Sequence, residues 1–157
     1  MKASRHLTLK LAAPADAAPI AAMSRELIEA GLPWSWTPER VARMLGQRDT
    51  LVLTARDAAW LAGFAIMQFG EERAHLSLLA VRADYQRQGV ARRLLEWLTE
   101  SALTAGIASI HLELRETNLD ARRFYLKLGF AEAARVPGYY RGMETAVRML
   151  REIRIKP

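Results

Sequence analysis

The chain contains no cysteine, which excludes a disulfide scaffold, a zinc ribbon, a cysteine nucleophile and thiolate redox chemistry together. No apolar run approaches the roughly 20 residues that a membrane span requires. The first residues, Met1 to His6, lack the apolar stretch of a secretory signal, so a cytoplasmic location is the expectation. No repeat, low-complexity tract or Gly/Ser linker interrupts the sequence, and residues 1–157 read as one domain. Lysine is scarce: of 23 basic residues, 19 are arginine and four are lysine. The arginines are scattered along the chain rather than gathered in one stripe, which argues against a dedicated nucleic-acid binder.

What is present is a chain of 157 residues, 51% hydrophobic and 25% charged, with a formal charge of +6. A domain of this size buries roughly 68–70% of its unfolded surface and holds together without staples. The planar guanidinium suits phosphate, so the surplus of arginine favours a small anionic ligand. The tail from Arg148 to Lys156 is the densest basic patch and reads as a solvated strand end.

Periodicity divides the chain into alternating elements. Leu7 to Leu11 alternates apolar and polar like a half-buried strand. Pro14-Ala15-Asp16 opens a helix that extends to about Ala30 and closes at Gly31. A loop with two tryptophans, Leu32 to Trp36, leads to a second helix, capped by Thr37 with Pro38 at its first position. Thr50–Thr54 and Trp60–Phe69 read as strands joined around Arg56-Asp57, and Leu76–Val81 as a strand buried on both faces. Gly89 to Ala105 carries Val90, Leu94, Leu98 and Ala102 on one helical face. In the strand Ile107–Arg115, Ile110, Leu112 and Leu114 face one way and His111, Glu113 and Arg115 the other. Asn118 caps a helix that ends at Gly129, and Phe130–Val136 and Ala146–Ile153 are closing strands. The expectation is a single-domain α/β fold, a mixed central sheet of six to seven strands with helices on both faces.

The most informative stretch runs from Leu78 to Leu94, where a strand enters a polar turn that opens directly into a long helix. Gly89 and Ala91 are small where a ligand must approach backbone amides, and a helix start offers unpaired N–H groups to an anion. Arg87, Arg92 and Arg93 add positive charge. No Gly-Lys-Ser/Thr follows, so the turn is not a Walker loop, and it carries one glycine rather than the GxGxxG set.

Gln86-x-x-Gly89-x-Ala91 resembles the acetyl-CoA signature Q/R-x-x-G-x-G/A of the GCN5-related N-acetyltransferases (GNAT). Leu112-Glu113-Leu114-Arg115-x-x-Asn118, then Phe124-Tyr125-x-x-x-Gly129-Phe130, is similar to the family's next block in order and spacing. The resemblance extends from about Leu7 to Leu150. Within the family it is strongest to bacterial protein N-terminal acetyltransferases of the RimI type, through the Leu-Glu-x-Arg-x-x-Asn block, Tyr139-Tyr140 and Pro33-Trp34-Ser35. Leu119-Asp120 departs from the small residues expected after the asparagine, Ala91 stands where glycine is common, and Thr145 replaces a frequent acidic residue.

The resemblance implies a GNAT fold with acetyl-CoA as co-substrate and no metal. It implies cofactor contacts from Leu79, Ala80 and Val81 at a splayed strand end, from Arg87, Gln88, Gly89, Val90, Ala91 and Arg92 at the phosphate turn, and from Asn118. Acetyl transfer needs the acceptor ammonium to lose a proton, the developing oxyanion to be stabilised and the leaving thiolate to be protonated. By resemblance Glu113 is the base, working through water, and Tyr125 the acid. Burial in a cleft would raise the Glu113 pKa toward neutrality. Read from the residues alone, the favoured reading of Glu113 is a surface carboxylate pairing with Arg115. Tyr125 is either a core anchor or, with Phe124 as that anchor, free to face the cleft. His111 and, less so, His75 are alternative bases. Trp34, Trp36, Tyr139 and Tyr140 sit in loops expected to flank the acceptor, with Trp34, Tyr139 and Tyr140 as its binding residues. The expected acceptor is a primary amine, foremost a protein N-terminus, met by a monomer or homodimer. A small-molecule amine is the alternative, and a non-catalytic CoA-binding module a further one.

Overall fold

The computed structural model describes residues 7–154, leaving Met1–His6 and Ile155–Pro157, with Lys156 of the basic tail, outside the described residues. Seven strands form one sheet in the order β1-β2-β3-β4-β5-β7-β6. They are β1 (Thr8–Leu11), β2 (Thr50–Asp57), β3 (Trp60–Phe69), β4 (Arg73–Val81), β5 (Ser109–Arg115), β6 (Ala131–Tyr140) and β7 (Glu144–Glu152). Every neighbouring pair is antiparallel except β4 and β5. Helices α1 (Ala17–Leu27), α2 (Pro38–Leu45), α3 (Val90–Thr104) and α4 (Leu119–Lys127) complete the layers. Among the described residues no helix is long and apolar enough to cross a membrane.

The sheet separates two cores. Leu94, Leu95, Leu98 and Ala102 of α3 and Tyr125 of α4 pack with Leu53, Met67, Ile110, Leu112 and Met149 on one face. Ile20 and Met23 of α1, Val41 of α2 and Trp36 pack with Val52, Phe64 and Ile66 on the other. The local signals for α2 and α4 act as read: Thr37 Oγ1 accepts from Arg40 N at 3.3 Å, and Asn118 Oδ1 from Ala121 N at 3.1 Å, each satisfying an orphan first-turn amide.

Several boundaries differ from the sequence reading. Helix α1 stops at Leu27 rather than Ala30, because the Glu29 carboxylate turns back to accept from Ser24 Oγ and from Ser35 N and Oγ. Strand β2 continues to Asp57, and the turn falls on Ala58, at φ +55°. Tyr139 and Tyr140 close β6 rather than lying in a loop, since Tyr140 still pairs with Glu144 of β7.

Strand β4 is not buried on both faces. It alternates buried and half-buried residues and begins at Arg73. Against β3, Leu76 pairs with Met67 but Leu78 pairs with Ile66, so Ser77 is one residue in excess. Such a bulge reverses which face later side chains occupy. Ala74 and Leu76 therefore join the α3 core, whereas Leu78 and Ala80 join the α1–α2 core. Beyond the bulge β3 and β4 lie very close, because a Cβ on Gly63 would stand 2.8 Å from the Ala80 carbonyl oxygen.

Candidate active site

The parallel pairing of β4 with β5 covers only Arg73–His75 against Ser109–His111. Past that point the strands part, and the β5-facing N–H and C=O groups of β4 lose their ladder partners. The gap is a cavity of about 250 Å³ lined by Leu79, Ala80 and Val81 of β4, Leu112 and Glu113 of β5, and Asn118 and Tyr125 among others. A second cavity of about 340 Å³, under the α1–α2 loop, is lined by Pro33, Trp36, Ser77, Glu113, Tyr139 and Tyr140 among others. Glu113, Ser77 and Tyr140 belong to both.

The turn before α3 reaches the first cavity through Gln86. Gly89 caps α3 at φ +80°, and Arg87 before it is also left-handed at φ +61°. A Cβ on Gly89 would meet no atom within 4 Å, so the ground above the turn is open. The first-turn amides, from Val90 on, have no helical acceptors. That open cradle, facing the start of a 15-residue helix, fits a pyrophosphate. Several side chains of the turn have partners within the protein. Val90 is buried in the α3 core, Gln88 Nε2 donates to Asp84 O at 3.0 Å, and Arg92 is held by Glu96 at 2.8 Å. Gln86, absent from the expected contacts, lines the cavity and donates to Val81 O at 2.9 Å, tying the turn to the splayed strand.

Glu113 sits on the face of β5 opposite Ile110, Leu112 and Leu114, as the alternation requires. Its side chain is only 9% exposed. Oε1 accepts from His75 Nε2 at 2.6 Å and from Tyr139 Oη at 3.1 Å, and Oε2 accepts from Arg148 Nε at 2.9 Å. The expected rise in its pKa does not occur. Burial alone would raise it, but the hydrogen bonds from His75 and Arg148, the charge of His75 and the hydrogen bond from Tyr139 bring it down to about 2. Its partners also correct the surface reading: Arg115 faces Glu144 at 3.7 Å, while Arg148 stands directly across from Glu113 on β7. That cross-strand pair removes Arg148 from the solvated basic tail.

Tyr125 lines the first cavity and is also the anchor of α4, 8% exposed and in edge contact with Phe124 at 5.1 Å and Phe130 at 5.4 Å. Phe124 is half-buried beside it, the reverse of the expected division. Burial raises the Tyr125 pKa well above the usual phenol, and its hydroxyl has no hydrogen-bond partner among the described residues.

On the second cavity, Tyr139 and Tyr140 meet edge to face at 5.0 Å. Burial, then neighbouring charge from Glu113 or Tyr139, raises both phenols. Trp36 lines this cavity under the Arg40 guanidinium, 3.7 Å from its ring centroid. Trp34 does not; its ring lies under Arg25 at 4.9 Å and packs against the α1–α2 core. His111 bonds to Ser109 Oγ at 2.9 Å, and burial, Arg73 and His75 lower its pKa. His75, weighed least in the sequence, is the histidine joined to Glu113. Only a β4–β5 pairing register reveals that, as His75 lies opposite His111.

Residues 21–130 match the acetyltransferase (GNAT) family profile. The chain is 41% identical over 118 residues, 73% of its length and 78% of the relative's, to a [ribosomal protein bS18]-alanine N-acetyltransferase of Salmonella typhimurium. Its fold is similar to the crystal structure of the ribosomal-protein-S18-alanine N-acetyltransferase of Escherichia coli, with TM-score 0.83 and 30% identity, covering 96% of each chain. At 16% identity it also shares its fold with Arabidopsis thaliana NAA60, solved in complex with acetyl-CoA, with TM-score 0.82, covering 94% of this chain and 98% of that one.

Proposed function

Because the chain belongs to the acetyltransferase (GNAT) family, we propose that this acetyl-CoA-dependent N-acetyltransferase modifies the free α-amine of a protein or peptide N-terminus. The observation that carries the proposal is the junction at Glu113. One cavity, between β4 and β5, extends to Gln86 at the turn before α3, and the other, ringed by Trp36, Tyr139 and Tyr140, opens from the α1–α2 side. Glu113 stands where they meet.

Acetyl-CoA supplies the activated acetyl thioester. The backbone at Gly89–Arg92 would hold its pyrophosphate, with Leu79–Val81, Gln86 and Asn118 along the cleft. Backbone N–H groups of the parted β4 edge are placed to receive a developing oxyanion. Glu113 offers the acceptor ammonium a carboxylate that stays charged throughout the working pH range. Tyr125, kept protonated by its burial, holds an Oη–H ready for a departing sulfur. A cavity of about 340 Å³ admits the first one or two residues of an extended chain, not a folded surface. The Salmonella relative, named for an alanine of ribosomal protein bS18, supports a small first residue and, with it, a cytoplasmic acceptor.

Deprotonation favours the same acceptor. An α-amine has a pKa of about 7.7–8.0 against about 10.4 for lysine, a difference of roughly 3.5 kcal/mol in free base at one pH. Peptides with free, small N-terminal residues are expected to outcompete internal lysines and polyamines in a mixed reaction with acetyl-CoA, read by mass spectrometry. Acetylation confined to lysine side chains or small amines would transfer the reading to a small-molecule amine acetyltransferase.

A further inference from the structure

The cavity under the α1–α2 loop carries positive charge that its own carboxylates do not answer. Glu29 and Glu113 line it, and so do Arg40 and Arg141. Both carboxylates are occupied by other groups. Glu113 is bonded to His75, Tyr139 and Arg148. Glu29 is buried and accepts from Ser24 Oγ, from Ser35 N and Oγ, and from Trp36 N. Glu144, which follows Arg141 in the chain, faces Arg115 instead. Among the described residues, neither Arg40 nor Arg141 has a carboxylate at ion-pair distance.

The Glu29 clamp also presets one of these arginines. By holding Ser35 and Trp36, it gives the Arg40 guanidinium two fixed supports. The Trp36 ring centroid lies 3.7 Å from the guanidinium carbon, and the Ser35 carbonyl oxygen accepts from Arg40 Nη1 at 3.5 Å. A guanidinium has five N–H donors in a rigid fork, so most of them remain for a ligand. Arg141 enters from the other side, as the first residue after β6, exposed and at φ +55°. Burial, then the charges of Arg43 and Arg141, lower the Arg40 pKa against the opposing pull of Glu29. Two like charges converging on one cavity are relieved by an anion, and the planar fork matches a carboxylate.

Resting on the α-amine reading above, we propose that Arg40 and Arg141 bind an acidic side chain at the second or third residue of the acceptor. The preferred substrates then begin with a small residue followed closely by aspartate or glutamate. An extended chain rises about 3.3 Å per residue, and a cavity of about 340 Å³ accommodates only the first residues once the amine lies at Glu113. Such an acceptor is positive at its amine and negative just behind it. The cavity has the opposite order, with Glu113 at one place and two guanidiniums at another, so charge orients the peptide as well as holding it. A lysine behind the amine would instead add a third cation. Arg40 is the preorganised anchor, its ordering already met by Trp36 and Ser35, and Arg141 is the outer, more solvated partner.

The test uses steady-state thiol release with acetyl-CoA and peptides that share a free N-terminal alanine. Aspartate, asparagine or lysine is placed at the second position in one series and at the third in another. In one of the two series, kcat/KM for the aspartate peptide should exceed that for its asparagine isostere by about tenfold, as expected for hydrogen bonds to a charged group. The ratio should shrink as salt is added. Arg40→Met keeps an apolar stem over Trp36 but removes the fork, and should bring the aspartate/asparagine ratio close to one. Arg141→Glu alters an exposed turn residue, so it serves even if the Arg40 variant fails to fold. It should turn the preference from aspartate toward lysine. Equal kcat/KM for aspartate and asparagine in both series, or a wild-type ratio retained in Arg141→Glu, would overturn the proposal. If the enzyme acetylates only lysine side chains or small amines, the α-amine reading fails. The same acid and amide pair, built next to that amine, then decides whether these arginines read an anion.

Discussion

Tyr125 separates two roles that one side chain performs in this fold. Its ring anchors α4 between Phe124 and Phe130, while the residue also lines the β4–β5 cavity and carries a hydroxyl that phenylalanine lacks. Phenylalanine keeps the first and removes the second. Tyr125→Phe should melt at the wild-type temperature and bind acetyl-CoA normally, yet lose about 10²-fold in kcat; unchanged kcat would remove the phenol from the chemistry. Glu113 makes a prediction about pH. Its folded pKa of about 2 lies below the ordinary 4.5, so the unfolded chain binds its proton first on acidification. The stability it contributes is fully present above pH 4.5 and is lost as pH falls toward about 2. In denaturant titrations Glu113→Gln should be less stable than wild type at neutral pH, and that gap should close across the same window. A gap independent of pH there would mean that the carboxylate is not held low. Neither the direction of this shift nor the identity of its causes was legible in the sequence. His75, Tyr139 and Arg148 stand 38, 26 and 35 positions away from Glu113, and only strand register brings them to it.

The element with the strongest local specification is the start of α3. Gly89 has φ +80°, a region that costs an L side chain about 1–2 kcal/mol, and a β-branched one meets further restriction. No atom lies within 4 Å of the missing Cβ, so the cost of Gly89→Val is backbone strain, not a clash in the fold. Ligand linkage gives the readout. At 100 times its Kd, acetyl-CoA should stabilise the wild type by about 2.7 kcal/mol, roughly 5–10 °C in Tm for a chain of 157 residues. Gly89→Val should melt a few degrees lower without ligand and gain nothing at the same acetyl-CoA concentration; a full wild-type shift would displace the pyrophosphate from this turn. Such caps are legible because their chemistry lies within one turn, as with Thr37 on α2 and Asn118 on α4. The end of α1 was not, because Glu29 leaves the helix to hold Ser35 across the loop. Nor was the bulge at Ser77, which no local propensity marks.

At the scale of the molecule, a sheet with helices on both faces divides the apolar residues into two cores, and the candidate site lies where β4 parts from β5. Periodicity was enough to determine that the chain is α/β, that α3 buries Leu94 and Leu98, and that Glu113 faces away from Leu112 and Leu114. These outcomes depend on spacings of two to four residues, which the backbone converts directly into faces. The order Gln86-x-x-Gly89, then Glu113, Asn118 and Tyr125, likewise carried the family. The tertiary structure decided everything that depends on which strands become neighbours. It parted β4 from β5 after His75, set Tyr139 and Tyr140 on a strand end, turned Trp34 away and Trp36 toward the cavity under the α1–α2 loop, and surrounded Glu113 with three donors. The reason is physical: a side chain's face is set by its own strand, but its partners, its solvation and hence its charge are set by the packing of segments distant in the chain.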